Sequence, residues 1–372
     1  MQSRAIPMIS ASPHAADAAN KYGCDCLHRG LMPNSIVEPE ERPLTYCGID
    51  IENDPQRRIT TFSQHRHLEL MLEIWGMRDT NPARQPWPPG AAGDAARLPW
   101  SGAPTEREVF DYAMFIGDAV WLSRTLRSIT WAVHILAQHI RNPGPAHVHA
   151  AKHLLRYIKH MRDAKLTCDA STAALSEGWP RRHKIIIDYD ASLPVAGARG
   201  TTGALAYING LCFASVARRQ TSISNNSFEA ESKGAQLATE LARGYQDTLA
   251  ELLEIWPASP LANGDARGAI KQFDRQTDKR AHAALKRVLN YTEAEVNSGR
   301  TMMNCIPREH NTADNNTQQG GPYEQWLART NTIMGTPQGV YVSDTVRAAI
   351  RFDREQRDIK AQRAARESSG EQ

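Results

Sequence analysis

The chain has 372 residues, which is enough for two or three domains with buried cores. Its hydrophobic content of 41% is ordinary for a globular protein, and its net charge of +3 means that any attraction to nucleic acid must come from local basic patches. No apolar run approaches the roughly 18 residues of a membrane-spanning helix, and the six cysteines form no regular framework. Since no signal peptide is recognisable either, we expect an intracellular protein, cytoplasmic or nuclear.

The first half of the chain is expected to be mainly helical after an unpatterned start. Residues 1–45 are rich in turn formers and show no periodicity, whereas residues 46–64 alternate like two strands around a turn at Asn53-Asp54-Pro55. A proline-rich loop is predicted over residues 80–105. Apolar side chains recur at helical spacing in three further stretches, which are residues 66–77, 107–141 and 147–162.

The second half alternates strands with helices. Three isoleucines in KIIIDYD, at 184–190, indicate a buried strand, and two more alternating runs share a hairpin turn at Asn209-Gly210. A long helix is predicted from 227 to 256, another from 281 to 299, and a short strand in MMNCI at 302–306. This order predicts an α/β fold, a mixed sheet with flanking helices.

Four acidic residues stand at expected ends of these elements: Asp190, Glu231, Asp265 and Asp314. Asp190 ends the isoleucine-rich strand. Asp188 is the competing carboxylate, two residues back on the same face and deeper along the strand. Carboxylates drawn from distant points of a chain can hold a pair of Mg²⁺ ions, and such pairs cut phosphodiester bonds.

Helix phase separates the two acids near the start of the long helix. Asn226 and Glu229 have the spacing of a capping box, which gives Glu229 a structural role. Glu231 falls on the same face as Ala235 and Ala238, the face expected to press against the sheet. Because a buried carboxylate is costly without a partner, Glu231 is the better candidate for a metal ligand.

The motifs around these acids resemble the ribonuclease H segment of copia-type retrotransposon Pol polyproteins. GALAYINGLCFASVARRQ is similar to the family's G-hairpin-S-K-Q stretch, SFEAES to its T-E-A-E, GDARGAI to its C-D-N-Q-A-A-I, and NTAD to its N-x-A-D. Upstream, MLEIWGMRDTNP and NPGPAHVHAAKHLLRYIK are similar to the stretch that joins the polymerase to the ribonuclease H part. The resemblance covers about residues 45–316.

This resemblance implies a ribonuclease H-like domain over 183–318 and a reverse-transcriptase thumb- or connection-like region over 46–165, with a charged tail over 319–372. Residues 1–45 are then either a degenerate palm remnant or disordered. The four acids become catalytic ligands of Mg²⁺ or Mn²⁺, and the substrate becomes the RNA strand of an RNA–DNA hybrid. His310 is a candidate for assisting proton transfer, with simple solvation as the alternative.

Several positions depart from the family pattern. Ile6 and Pro7 stand where the polymerase aspartates of Y-x-D-D belong, so reverse transcriptase activity is expected to be absent. Arg280 replaces a family histidine, ASPLANG is a poor strand before Asp265 because of Pro260 and Gly264, and NNTQQGG is a poor helix after Asp314. A catalytically dead nucleic-acid-binding remnant therefore remains the alternative to an active nuclease.

One helix carries a basic face. Lys152, Arg156 and Lys159 lie opposite the apolar stripe of the helix predicted over 147–162. Such a face is either a solvated surface or a site that grips nucleic-acid phosphates, and the sequence leaves both interpretations open.

Overall fold

The computed structural model describes residues 44–169, 184–193, 199–208, 210–253, 258–273, 283–318 and 322–336. The predictions made for residues 1–43, for Arg280, for Asn209 and for the charged helix after residue 336 lie outside these ranges.

A four-stranded antiparallel sheet begins the described chain. Its strands follow the order β1-β2-β3-β4, and the predicted hairpin is β2 with β3. The Asp54 carboxylate closes the hairpin turn by accepting from the backbone amides of Gln56 and Arg57, each at 3.0 Å. The strands are β1 (Leu44–Tyr46), β2 (Ile49–Asp54), β3 (Ile59–Ser63) and β4 (Leu166–Asp169).

Five helices cover the region between β3 and β4. They are α1 (His65–Ile74), α2 (Ala91–Ala95), α3 (Glu106–Leu122), α4 (Thr130–Ala137) and α5 (Pro145–His160). The single helical stretch predicted over 107–141 is broken by a 3-10 turn, because the hydroxyls in the break bind other elements. The Thr125 hydroxyl shares a hydrogen bond with the Gln64 side-chain amide at 2.9 Å, and Ser128 shares one with Tyr157 at 2.8 Å.

The second sheet has five strands in the order β7-β6-β5-β8-β9. Neighbours β5, β6 and β7 are antiparallel, whereas β8 runs parallel to β5 and β9 parallel to β8. The predicted mixed sheet with flanking helices is confirmed. Its elements are β5 (Lys184–Ala191), β6 (Thr201–Ile208), β7 (Leu211–Arg219), α6 (Ser227–Leu253), β8 (Ala258–Gly264), α7 (Arg267–Phe273), α8 (Ala283–Asn297) and β9 (Met302–Cys305).

Strand β8 forms despite the proline and glycine that made ASPLANG look unfavourable. The pairing with β5 shifts register between Lys184 and Ile186, and this irregularity places Pro260 where a missing amide disturbs no regular ladder. Glycine is required at position 264 for a different reason, because a Cβ there would lie 2.4 Å from Cζ of the buried Tyr189 ring. The expectation of a poor strand was therefore wrong.

A further helix, α9 (Tyr323–Met334), lies within the segment predicted to be a charged tail. Trp326, Ile333 and Met334 are buried, and the Trp326 ring packs edge-on against Tyr157 of α5 with 5.7 Å between centroids. The same hydrophobic cluster includes Ile186 of the second sheet, so the two halves share a core. None of the described helices combines the length and apolar character needed to cross a membrane.

Candidate metal centre

Three of the four predicted acids meet at one edge of the second sheet. Ligand oxygens of Asp190, Glu231 and Asp265 all lie within 4.8 Å of one another. Parallel strands β5 and β8 end at the same edge, so Asp190 near the end of β5 and Asp265 just after β8 are brought side by side. Helix α6 packs over this sheet and contributes Glu231 from its second turn.

The two aspartates of β5 have separate roles. Asp188 is fully buried, accepting from Asn263 Nδ2 at 2.9 Å and from Thr312 Oγ1 at 2.6 Å. These bonds tie β5 to β8 and to the loop after β9, and burial raises the Asp188 pKa to about 6. Asp190 accepts a hydrogen bond from the Thr317 hydroxyl and faces the acid cluster. The geometry agrees with the choice of Asp190 over Asp188.

The two glutamates of α6 are likewise distinct. Glu229 Oε2 accepts from the Asn225 amide at 3.0 Å, and Glu229 pairs with Lys233 at 3.1 Å. Asn226 in turn caps the helix by accepting from the Glu229 amide at 2.8 Å. Burial alone would raise the Glu229 pKa, but the Asn225 hydrogen bonds and Lys233 bring it below its ordinary value. Glu229 is thus a capping residue, as predicted, although its carboxylate reaches Asn225 instead of Asn226.

Burial, reinforced by mutual repulsion, raises the pKa of all three acids in the cluster. Burial raises the pKa of Glu231 to about 9, and Asp190 and Asp265 add to this shift. Burial, followed by repulsion from Asp314 and Asp265, raises the pKa of Asp190 to about 6 in spite of the Thr317 hydrogen bond. The Asp265 pKa is also raised, chiefly by burial. Glu231 Oε2 is buried without a hydrogen-bond partner in the described structure. A cation bound between the three carboxylates would stabilise their charged forms and give the buried Glu231 oxygen a partner.

Asp314 lies beside the cluster but is held by arginine. It sits on a 3-10 helix, Thr312–Asn316, in agreement with the expectation of a poor α-helix there. Its Oδ2 lies 2.5 Å from Nη1 of the buried Arg329, and its Oδ1 accepts from Gln318 at 2.6 Å. The exposed Arg308 lies 3.5 Å from Oδ1. The geometry therefore departs from the prediction of one site shared by four acids, because Arg329 already neutralises the fourth.

The loop that bears Asp314 is fixed onto the sheet. Asn311 Nδ2 donates to the Tyr189 carbonyl at 2.9 Å, and Asn316 Nδ2 donates to Ser215 Oγ at 2.9 Å. Gly203 makes the close approach possible, since a Cβ there would meet Asn316 Cβ at 2.7 Å. These contacts determine where Asp314 and Thr317 stand relative to Asp190.

Sequence reasoning missed two residues of this centre, Thr317 and Arg329. Thr317 lies in the polar run NNTQQGG, where nothing marks a residue that orients a carboxylate. Arg329 belongs to α9, whose apolar spacing at Trp326, Ile333 and Met334 was the available signal for a packed helix.

The remaining predicted residues are not members of the three-acid cluster. His310 is half-buried on the short 3-10 helix Arg308–His310, which precedes Asp314. Arg156 Nε donates to the Asn81 carbonyl at 2.7 Å, and Lys159 Nζ donates to the carbonyls of Arg78 and Thr80. These two basic groups therefore hold the loop at 78–81, whereas Lys152 is exposed on α5.

Similarity to known proteins extends over much of the chain. The uncharacterized mitochondrial protein AtMg00810 of Arabidopsis thaliana is 25% identical, over 53% of this chain and 76% of the relative. No family model matches the sequence.

Solved ribonuclease H structures align with part of the chain. The N-terminal RNase H domain of a Mycobacterium tuberculosis protein, fused to maltose-binding protein, is 18% identical with a TM-score of 0.29, covering 40% of this chain and 98% of its own. RNase H1 LC11, isolated from compost, is 21% identical with a TM-score of 0.28 over 36% and 92% of the two chains. RNase H1 of Halobacterium salinarum is 17% identical with a TM-score of 0.26 over 37% and 94%.

The sheet order and the position of three acids at one edge agree with the resemblance that the sequence motifs carry. The chain resembles a copia-type Pol fragment. Its second sheet, with the flanking helices, has the ribonuclease H-like fold class that the motifs implied.

Proposed function

We propose that the chain is a divalent-metal-dependent nuclease that cuts the RNA strand of RNA–DNA hybrids. The observation that carries this proposal is the meeting of Asp190, Glu231 and Asp265 within 4.8 Å, with one buried glutamate oxygen left without a hydrogen-bond partner in the described chain. An all-carboxylate site of this kind suits Mg²⁺ or Mn²⁺, which prefer oxygen ligands.

In this proposal, the residues of the centre hold the metal ion and orient its ligands. Asp190, Glu231 and Asp265 hold the ion, and Thr317 orients the Asp190 carboxylate through its hydroxyl. When bound, the ion supplies Lewis acidity and a water of lowered pKa for attack on the phosphodiester. Cleavage leaves a 3′-hydroxyl. His310 remains the candidate for transferring a proton near the leaving oxygen.

Arg308 is placed to contact the substrate backbone. Its side chain is 66% exposed, its Nη2 stands 3.5 Å from Asp314 Oδ1, and its charge acts on Glu231 and Asp265. Planar guanidinium groups bind phosphate oxygens in a bidentate manner. Lys152 offers a separate phosphate contact on α5, since Arg156 and Lys159 are engaged with backbone carbonyls.

A second candidate is a nucleic-acid-binding remnant that does not cut. The observation that favours it is the ion pair between Asp314 and Arg329, which removes the fourth carboxylate from the set available to metal. Reverse transcriptase activity is not part of either proposal, because the sequence lacks the Y-x-D-D pair.

Cleavage of an end-labelled RNA–DNA hybrid by the full chain separates the two candidates. With Mg²⁺ or Mn²⁺, we expect wild type to cut the RNA strand, and Asp190→Asn and Glu231→Gln to lose this activity. Glu229→Gln is the matched control on the same helix, and it should keep the activity because Glu229 serves as a cap. Equal background cutting by wild type, Asp190→Asn and Glu231→Gln would contradict the nuclease proposal and leave the binding remnant.

A further inference from the structure

Arg329 is the least expected residue of the centre, because it brings a permanent positive charge to a buried position beside four carboxylates. Only 3% of the residue is exposed. Nη1 lies 2.5 Å from Asp314 Oδ2, and Nη2 donates to the Arg308 carbonyl at 3.1 Å. Its Nε is buried without a hydrogen-bond partner in the described structure. A guanidinium so placed cannot lose its charge and has little room to move.

The position of Asp314 makes this charge relevant to the ion site. Asp314 raises the pKa of Asp190, Glu231 and Asp265, so its carboxylate acts electrostatically on all three. Thr317 donates to Asp190, and its hydroxyl lies 3.3 Å from the Asp314 carbonyl. Two-ion nuclease sites place their ions about 4 Å apart and share carboxylates between them. Asp314 is the carboxylate through which a second ion would be held next to this cluster.

Both oxygens of Asp314 are already engaged. Oδ2 is bound by Arg329, and Oδ1 accepts from Gln318 and faces Arg308. A divalent ion would have to displace a buried guanidinium, which would then be left without its partner. We propose that Arg329 serves as a fixed substitute for the second metal ion, so that the centre binds one divalent ion through Asp190, Glu231 and Asp265.

This inference rests on the proposed metal site and deepens it. Arg329 is a positioning residue here, because its hydrogen bonds go to Asp314 and the Arg308 carbonyl, and its charge acts on Asp265 from a distance. The number of bound ions is the quantity that distinguishes this role from a purely structural one.

Mn²⁺ binding to the full chain, counted by titration calorimetry and by electron paramagnetic resonance, tests the proposal. Wild type should bind one ion that Asp190→Asn fails to bind. Arg329→Met should bind two, since Asp314 becomes available, and Arg329→Lys, which keeps the charge, should bind one. In the double variant Asp314→Asn/Arg329→Met the second ion should disappear again. The affinity for the first ion should stay within about fivefold of wild type, because the two opposite charges of the pair are removed together.

Two ions in wild type, or a single ion in Arg329→Met, would overturn the proposal while leaving the nuclease proposal standing. If Arg329→Met does not fold, the double variant decides, because it leaves no buried charge unpaired. Retention of one ion is the result that the proposal requires, because Asp314 is then not a ligand of that ion, and loss of that ion identifies Asp314 as a ligand and refutes the proposal. Equal binding by wild type and Asp190→Asn would overturn the metal site itself, and this inference with it.

Discussion

Replacement of Glu231 by glutamine should stabilise the metal-free protein, and the gain should grow as the pH rises. Burial, together with Asp190 and Asp265, raises the pKa of Glu231 from 4.5 to about 9. Between these two values the folded protein keeps a proton that the unfolded chain has released. The free energy of unfolding therefore falls as the pH increases through this window. Glutamine is neutral throughout and removes this contribution.

The size of the effect follows from the pKa shift. A fully shifted group costs about 1.4 kcal/mol for each pH unit inside the window, or about 3.5 kcal/mol between about pH 5.5 and about pH 8. Glu231 is partly exposed, and solvent screens part of the repulsion. We therefore expect wild type to lose about 2 kcal/mol more than Glu231→Gln over this range.

Urea denaturation in the presence of a chelator at the two pH values measures this difference. Glu229→Gln is the control, because the pKa of Glu229 is lowered and its charge does not change over the range. That variant should be less stable than wild type at both pH values, since it loses the Lys233 ion pair and the charge on the group that accepts from the Asn225 amide, but it should show the same pH dependence. If wild type and Glu231→Gln lost stability in parallel, the cluster would not be repulsive and the reasoning would fail.

Three further predictions concern other parts of the centre and the helical region. Gly264→Ala should lower the unfolding free energy by about 1–3 kcal/mol in urea denaturation, because the added Cβ would lie 2.4 Å from the buried Tyr189 ring. Thr317→Val should weaken Mn²⁺ binding, measured by calorimetry, by about tenfold or more, because Asp190 loses its hydroxyl donor. Burial and a stacked imidazole lower the pKa of His139 to about 4. Stability should therefore fall as the pH drops from about 6.5 to about 4, and His139→Gln should reduce that fall, measured by denaturation, by about 1–2 kcal/mol.

Matched variants of the same chain serve as controls for these predictions. His149 is exposed on α5, so His149→Gln is the matched replacement of an imidazole outside the core. Thr317→Ser keeps the hydroxyl and should retain Mn²⁺ binding. A Gly264→Ala variant as stable as wild type would show that the Tyr189 ring moves freely, and tight Mn²⁺ binding by Thr317→Val would remove Thr317 from the centre.

The ribonuclease H-like half was predictable wherever a residue's role depends on its own element. Three isoleucines specify β5, and a cap at Asn226 fixes the start of α6 and hence the phase that points Glu231 at the sheet. Asp188 is bound by Asn263 and Asp190 by Thr317, as expected if Asp188 lies deeper along the same strand than Asp190. These features follow from local rules of periodicity and capping.

The features that escaped prediction depend on contacts between distant segments. Pro260 is tolerated because of a register shift against β5, and Gly264 is needed because a tyrosine ring packs over it. The partner of Asp314 lies fifteen positions further on, in α9, and becomes a partner only when that helix packs on the core. No local pattern shows that a buried arginine will neutralise a particular carboxylate, so the sequence predicted one site of four acids, with weaker surroundings for Asp265 and Asp314, where the structure has three acids and an ion pair.

The meeting of Asp190, Glu231 and Asp265 at one divalent ion is tested most directly by iron-directed cleavage of the chain itself. Fe²⁺ bound in place of Mg²⁺, with ascorbate and peroxide, generates radicals that cut the backbone next to the ion. We predict fragments that end near residues 190, 231 and 265, that are suppressed by excess Mg²⁺, and that are absent from Asp190→Asn. Cuts at other positions, or cuts that persist in Asp190→Asn, would contradict a metal centre at this edge of the sheet.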